Sequence, residues 1–80
     1  MTLGLLYLDE NKLQAAAQHF QATVQIQPDF SDGCHYLGLA LLRMGFQQQG
    51  VSQLRKAVLI DPNNAAAEKN LNLALTGQVP

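Results

Sequence analysis

The chain has 80 residues, a formal net charge of −1, 48% hydrophobic residues and only 14% charged residues. Eighty residues form at most one small domain, and the near-neutral charge excludes the basic surface that nucleic-acid phosphates require. One cysteine excludes a disulfide scaffold, and no run approaches the roughly 20 apolar residues of a membrane-spanning helix.

Apolar residues recur with a helical period along nearly the whole chain. Pro28 and Pro62 each follow a helix, because proline cannot donate a backbone hydrogen bond and restricts the residue before it. Asn11 and Gly45 are expected to stop two further helices, since both residue types tolerate the left-handed conformation. Connections of two to four residues predict antiparallel hairpins. The five predicted helices cover residues 2–9, 12–26, 31–44, 47–60 and 64–76.

Two kinds of landmark return at one and the same interval, which we call the repeat period. The pair Leu3-Gly4 recurs as Leu37-Gly38, and Pro28 recurs as Pro62. A fixed period of about 34 residues indicates helical hairpins that stack on one another to bury their apolar faces. A glycine in such a position predicts close approach of a neighbouring helix, and we expect the same of Gly50.

These landmarks resemble the tetratricopeptide repeat (TPR) family, whose repeat follows the pattern W-x₂-L-G-x₂-Y, then A-x₃-F, then a closing P. The chain departs from the pattern with Cys34 in place of the first aromatic residue and Gly50 in place of alanine. A third, partial unit opens at Ala65, with Glu68 where the aromatic residue would stand. The matching residues are Leu3, Gly4, Tyr7, Ala16, Phe20 and Pro28 in the first unit, and Leu37, Gly38, Leu54, Ala57 and Pro62 in the second.

The resemblance implies an all-α fold of antiparallel helix-turn-helix repeats, stacked as a right-handed α-solenoid of about two and a third repeats. One TPR-like domain is expected over residues 1–80, with a partial repeat at 1–30, a full repeat at 31–64 and a terminal capping helix at 65–77. About three repeats are usually needed to bury a continuous core. We therefore expect either a fragment of a longer array or a module that associates with itself.

TPR arrays resemble curved troughs lined by the first helix of each hairpin, and the third predicted helix carries leucines on two sides. Packing within one hairpin explains the leucines on only one of these sides. The leucines on the other side therefore predict a groove for a partner peptide or amphipathic helix. The alternative is that the same leucines pack neighbouring helices in a tight stack. The residues predicted to bind a partner on this concave face are Leu5, Leu8, His35, Leu39, Leu42, Arg43, Lys69 and Leu73.

The sequence offers little for catalysis or metal binding. Cys34 and His35 are adjacent and point about 100° apart on a helix, so they cannot hold one ion together. Cys34 occupies a core-packing position, where a thiol behaves as a small hydrophobic group. The carboxylate clamp of chaperone-type TPRs is not matched either, because Leu5 and Leu39 stand in its places. We predict no enzyme activity, no catalytic residue, no metal, no cofactor and no small-molecule substrate.

The predicted function is a non-enzymatic scaffold for protein–protein interaction, with a protein or peptide partner in the leucine-lined groove. The alternative is a homo-oligomer in which the same leucines join copies of the chain. Neither a nucleic-acid partner nor membrane insertion is expected. The start of the chain lacks the positive segment of a signal peptide, so a cytoplasmic location is the default expectation.

Overall fold

The computed structural model describes residues 2–80; Met1, with which the predicted domain and its partial repeat begin, lies outside them. Five α-helices and no strand occur within residues 2–80. The all-α class and the five helices are therefore confirmed, and each helix boundary lies within one residue of its predicted place. The helices are α1 (Thr2–Asp9), α2 (Leu13–Ile26), α3 (Ser31–Arg43), α4 (Gln47–Ile60) and α5 (Ala65–Leu75).

Left-handed residues and one side-chain cap set several helix ends. Asn11 has a φ of 59° and Gly45 a φ of 90°, so the two predicted stops are confirmed. Helix α5 begins at Ala65, one residue later than predicted. The cause is Asn64, whose side-chain oxygen accepts a hydrogen bond from the Ala67 amide at 3.2 Å and so caps the helix instead of joining it.

Helices that follow one another in the chain pack against one another, and α3 also contacts α5. Helices α3 and α4 run antiparallel. Ser31, at the start of α3, donates from Oγ to the carbonyl of Ala57 near the end of α4 at 2.8 Å, while Gly38 in the middle of α3 faces Gly50 in the first turn of α4. The predicted hairpin of these two helices is thus present.

Gly38 and Gly50 let the backbones of α3 and α4 approach closely. A Cβ atom on Gly38 would lie 2.9 Å from the carbonyl oxygen of Gly50, and one on Gly50 would lie 2.6 Å from Cγ of Leu42. Glycine inside a helix costs about 1 kcal/mol relative to alanine. The close approach expected at Gly50 is confirmed, because a Cβ atom there would require its neighbours to move.

The largest fully buried side chains are Phe20, Cys34, Leu37 and Leu54. Burial raises the pKa of the Cys34 thiol, and the Lys56 ammonium opposes that shift only in part. The thiol is therefore protonated near neutral pH, and a protonated thiol is a poor nucleophile. The prediction that Cys34 packs in the core is confirmed.

Turn hydrogen bonds recur at the spacing of the sequence landmarks. The amide of Asn11 bonds the Leu8 carbonyl at 3.0 Å, and one repeat period later the amide of Gly45 bonds the Leu42 carbonyl at 3.0 Å. The turn between α2 and α3 is reproduced between α4 and α5 in the same way. Its amide-to-carbonyl pairs are Gln27–Thr23 and Phe30–Gln27 in the first turn, and Asp61–Ala57 and Asn64–Asp61 in the second.

Candidate protein-binding site

Four of the eight residues predicted to bind a partner are buried inside the chain. Leu8, Leu39 and Leu42 are 7%, 8% and 3% exposed, and His35 is 4% exposed. The expectation that these four side chains stand on an open concave wall is therefore wrong. For them the alternative holds, in which they pack neighbouring helices.

Small residues on the packed helices explain this burial. Ala40 and Ala67 are fully buried in the same cluster as Leu39, and their short side chains let the surrounding helices close over the leucine. Leu42 packs with Ala74 in a second cluster. The helices therefore approach closely enough to cover leucines that a looser stack would leave open.

The other four predicted residues keep access to solvent. Leu5 is 38% exposed, Leu73 is half-buried, and Arg43 and Lys69 are exposed. Arg43 donates from Nε to the carbonyl oxygen of Pro80 at 3.3 Å. Lys69 and Leu73 line a shallow groove of about 490 Å³ along α5, whereas Leu5 and Arg43 do not.

We call this surface the α5 groove. Helical spacing could have revealed it, because residues three and four apart share one side of a helix. The sequence pattern alone predicts only that Glu68 and Asn72 form a polar, outward-facing side of α5. The remaining side chains that line the α5 groove are Ala65, Glu68, Asn72, Thr76 and Gln78.

Polar contacts between α3 and α5 hold the α5 groove in place. Asn64 donates from Nδ2 to Ser31 Oγ at 2.9 Å and to Asp32 Oδ1 at 3.0 Å. Farther along both helices, Asn70 Nδ2 lies 2.7 Å from His35 Nε2. Because the two contacts advance in the same direction, α3 and α5 run parallel. No sequence pattern indicated these contacts, since they join residues far apart in the chain.

His35 is a buried part of this contact. Burial lowers the pKa of His35 below its ordinary value of 6.5, and the Asp32 carboxylate opposes that shift in part. A neutral imidazole with an unprotonated Nε2 accepts the hydrogen bond from the Asn70 amide. The Tyr36 ring, whose centroid is 4.6 Å from that of His35, packs beside it. His35 therefore joins α3 to α5 and offers little surface to a partner.

The free energy of unfolding is expected to fall as the pH drops below about 6.5. From that pH downward the unfolded chain takes up a proton on His35, whereas the folded chain, with its lowered pKa, does so only at lower pH. The unfolded state therefore binds more protons in this window. Urea unfolding in steps from about pH 7.5 to about pH 5 measures the effect.

A single variant assigns this pH dependence to one side chain. His35→Gln should lose the slope of stability against pH that the unmodified chain shows in that window. An unchanged slope in His35→Gln would contradict the role of the buried imidazole.

Neither a cluster of metal-ligating side chains nor a membrane-spanning helix occurs in the part of the chain that the structure describes. No group of three or more His, Cys, Asp and Glu residues that could hold a metal ion occurs in that part of the chain. Within residues 2–80, every helix is too short or too polar to cross a membrane. Lys69 and Glu68 are the charged residues of the α5 groove.

The chain is similar to one region of a much longer curated protein. It is 33% identical over 73 residues to the peroxisomal targeting signal receptor of Saccharomyces cerevisiae, and the aligned region covers 90% of the chain. The similarity is thus to a protein named as a receptor. The chain spans 12% of the length of that receptor. No protein-family model matches the chain.

Proposed function

We propose that the chain is a TPR-type scaffold that binds other proteins and catalyses no reaction. The observation that carries the proposal is the recurrence of the same contacts after one repeat period. Gly4 lies against the Phe20 side chain, and one period later Gly38 lies against the Leu54 side chain. The turn hydrogen bonds recur at the same interval, which is the period of TPR hairpins. The similarity to a receptor agrees with a binding role.

The proposed architecture is a right-handed α-solenoid of about two and a third repeats. Its partial repeat covers residues 1–30, its full repeat 31–64 and its terminal helix 65–77. The parallel course of α3 and α5 supports it, because first helices of successive hairpins run in the same direction. A cytoplasmic location and the exclusion of nucleic-acid partners belong to the same proposal, and the net charge of −1 supports the latter.

The proposed partner is an amphipathic helix or an apolar peptide that lies in the α5 groove. Leu73 supplies a half-buried apolar contact, while Glu68 and Lys69 supply one charge of each sign. A partner with an apolar stripe and an opposite pair of charges is complementary to this surface. Leu5 and Arg43 extend the binding face beyond the groove, and the buried residues of the predicted set hold the helices beneath it.

Leu73→Asp is expected to weaken the binding of such a partner by at least about tenfold. The substitution places a charge where an apolar side chain should pack, and one such contact is worth about 1.5–3 kcal/mol. The probe is a labelled synthetic helical peptide with leucines at i, i+3, i+4 and i+7 and acidic and basic flanks. Fluorescence anisotropy measures its dissociation constant.

Leu59→Asp is the matched control. Leu59 is 82% exposed and lies outside the α5 groove, so its replacement should leave the affinity unchanged. Circular dichroism of both variants checks that they remain folded. Equal losses in the two variants, or no saturable binding to the unmodified chain, would refute the α5 groove as the binding site.

Self-assembly of the chain is a second candidate function, and the exposed leucines of α1 favour it. Leu3 and Leu6 are 48% and 50% exposed, whereas Leu37 and Ala40, one repeat period later, are 2% and 0% exposed. The solvent-exposed side of α1 is thus equivalent, one repeat period later, to a side of α3 that is buried. A small net charge opposes association of copies only weakly.

Size-exclusion chromatography with light scattering separates the two functions. A dimer that dissociates when Leu6→Glu is introduced supports self-assembly, and a monomer at every concentration rejects it. Leu39→Glu does not serve this purpose. Leu39 is 8% exposed, and an unpaired charge at a buried position would unfold the chain.

A further inference from the structure

Glutamine amides line a groove between α2 and α4. It consists of two adjoining hollows of about 370 Å³ and 390 Å³, which share Gln21 and Leu41. Every lining side chain that the structure describes is uncharged. We call this surface the glutamine groove. It contrasts with the α5 groove, which carries both Glu68 and Lys69.

The glutamine groove has an apolar floor that α3 supplies. Leu37, Leu41 and Met44 line it, and Leu41 and Met44 are half-buried rather than fully covered. At about 100° per residue, Leu37 and Leu41 project from the side of α3 opposite to His35 and Leu39, and Met44 is the residue that caps the end of the helix. The glutamine groove is therefore separate from the face predicted to bind a partner.

Four glutamines of α2 form a single stripe beside this floor: Gln14, Gln18, Gln21 and Gln25. Their spacing of i, i+4, i+7 and i+11 places them about 4.5–6 Å apart along the helix axis. Groups on one side of an extended chain are about 6.6 Å apart, which is a similar spacing. Each glutamine amide has both donors and an acceptor, so the stripe can pair with the N–H and C=O groups of an extended main chain.

Helix α4 adds an acceptor whose partner is missing. Gln53 Oε1 is buried and has no hydrogen-bond partner among the residues that the structure describes. A buried acceptor without a donor is destabilising. Gln53 lines the groove together with Gln48 and Gln49, and its terminal torsion is soft. A half-turn of the amide can direct the oxygen toward a donor in the groove, and a main-chain N–H is such a donor.

We propose that the glutamine groove binds an extended, uncharged polypeptide segment through its main-chain amides. Apolar side chains of the segment rest on Leu41 and Met44, and Gln53 accepts one of its N–H groups. The neutral lining matches an uncharged ligand and offers no cation to a phosphate. The proposal goes beyond the binding function assigned to the α5 groove, and the failure of either site leaves the other untouched.

The test uses two short, uncharged synthetic peptides that alternate valine and serine. One has free amides, and in the other alternate amides are N-methylated, which removes the donors without changing the charge. Nuclear magnetic resonance of the ¹⁵N-labelled full chain follows the side-chain amide signals. The free peptide should shift the signals of Gln21, Gln49 and Gln53 in a saturable manner, and the methylated peptide should not.

Gln53→Met supplies a second readout. It should weaken peptide binding by about threefold or more, as the loss of one neutral hydrogen bond implies, and it should raise the melting temperature because the unpaired acceptor is gone. Because binding should weaken while the melting temperature rises, loss of folding cannot explain the loss of binding. Gln27→Met, at an exposed position outside the groove, should change neither quantity.

Three outcomes would overturn the proposal. They are no shifts with the free peptide, equal shifts with the methylated peptide, and shifts confined to the backbone amide signals of Lys69 and Leu73, which the same ¹⁵N spectra record. A neutral oligosaccharide that shifts the glutamine signals where the free peptide does not would assign the groove to carbohydrate instead.

Discussion

Leu37→Ala is expected to lower the free energy of unfolding by about 2–5 kcal/mol. Leu37 is 2% exposed and belongs to the main core cluster, so the substitution removes buried methyl groups and leaves a cavity between packed helices. Domains are stable by only about 5–15 kcal/mol, and one this small lies near the lower end. Urea unfolding followed by far-ultraviolet circular dichroism should find the variant largely unfolded or close to it.

Leu59→Ala is the control for this loss. Leu59 is 82% exposed, so its truncation should change stability by no more than about 0.5 kcal/mol. A loss below about 1 kcal/mol in Leu37→Ala would contradict the place of Leu37 in the core.

Gly38→Ala is expected to destabilise the chain by about 1–3 kcal/mol, although alanine is the better helix former by about 1 kcal/mol. The new Cβ atom would lie 2.9 Å from the Gly50 carbonyl oxygen and 3.0 Å from Leu54 Cγ. The first of these atoms belongs to the backbone, so a side-chain rotation cannot relieve the contact. Helices α3 and α4 must move apart, which loosens the packing of the second hairpin.

Gly33→Ala, in the same helix, should have the opposite effect on stability. Its Cβ atom would lie 3.4 Å from the nearest atoms of the Phe30 and Val24 side chains, which is ordinary contact. The helix-propensity gain should then prevail, and the variant should be neutral or more stable by up to about 1 kcal/mol. Thermal melts of the two variants measure the difference, and a rise in melting temperature for both would contradict the tight contact between Gly38 and Gly50.

The helices and their ends were predictable because their causes are local. Asn11 and Gly45 adopt positive φ as their residue types allow, and Pro28 and Pro62 follow helices in the two equivalent turns. The one-residue shift at α5 came from the Asn64 cap. That effect is also local, and the asparagine before Ala65 could have indicated it.

The binding face was predicted less well. The helical period separated the two sides of α3, yet it could not say what stands against each side. Leu39 and Leu42 proved to be covered, whereas Lys69 and Leu73 line an open groove. The hydrogen bond between His35 and Asn70 joins two helices that no sequence pattern had paired.

By itself, the amino-acid sequence determined five helices, their stops and a hairpin unit that returns at a fixed period. Backbone preferences and apolar periodicity act over a few neighbouring residues, so they can be recognised along the chain. Only the tertiary structure decided which leucines remain accessible. That outcome depends on how closely the helices approach, and the distance is set where small residues such as Gly50 and Ala67 meet side chains far away in the sequence.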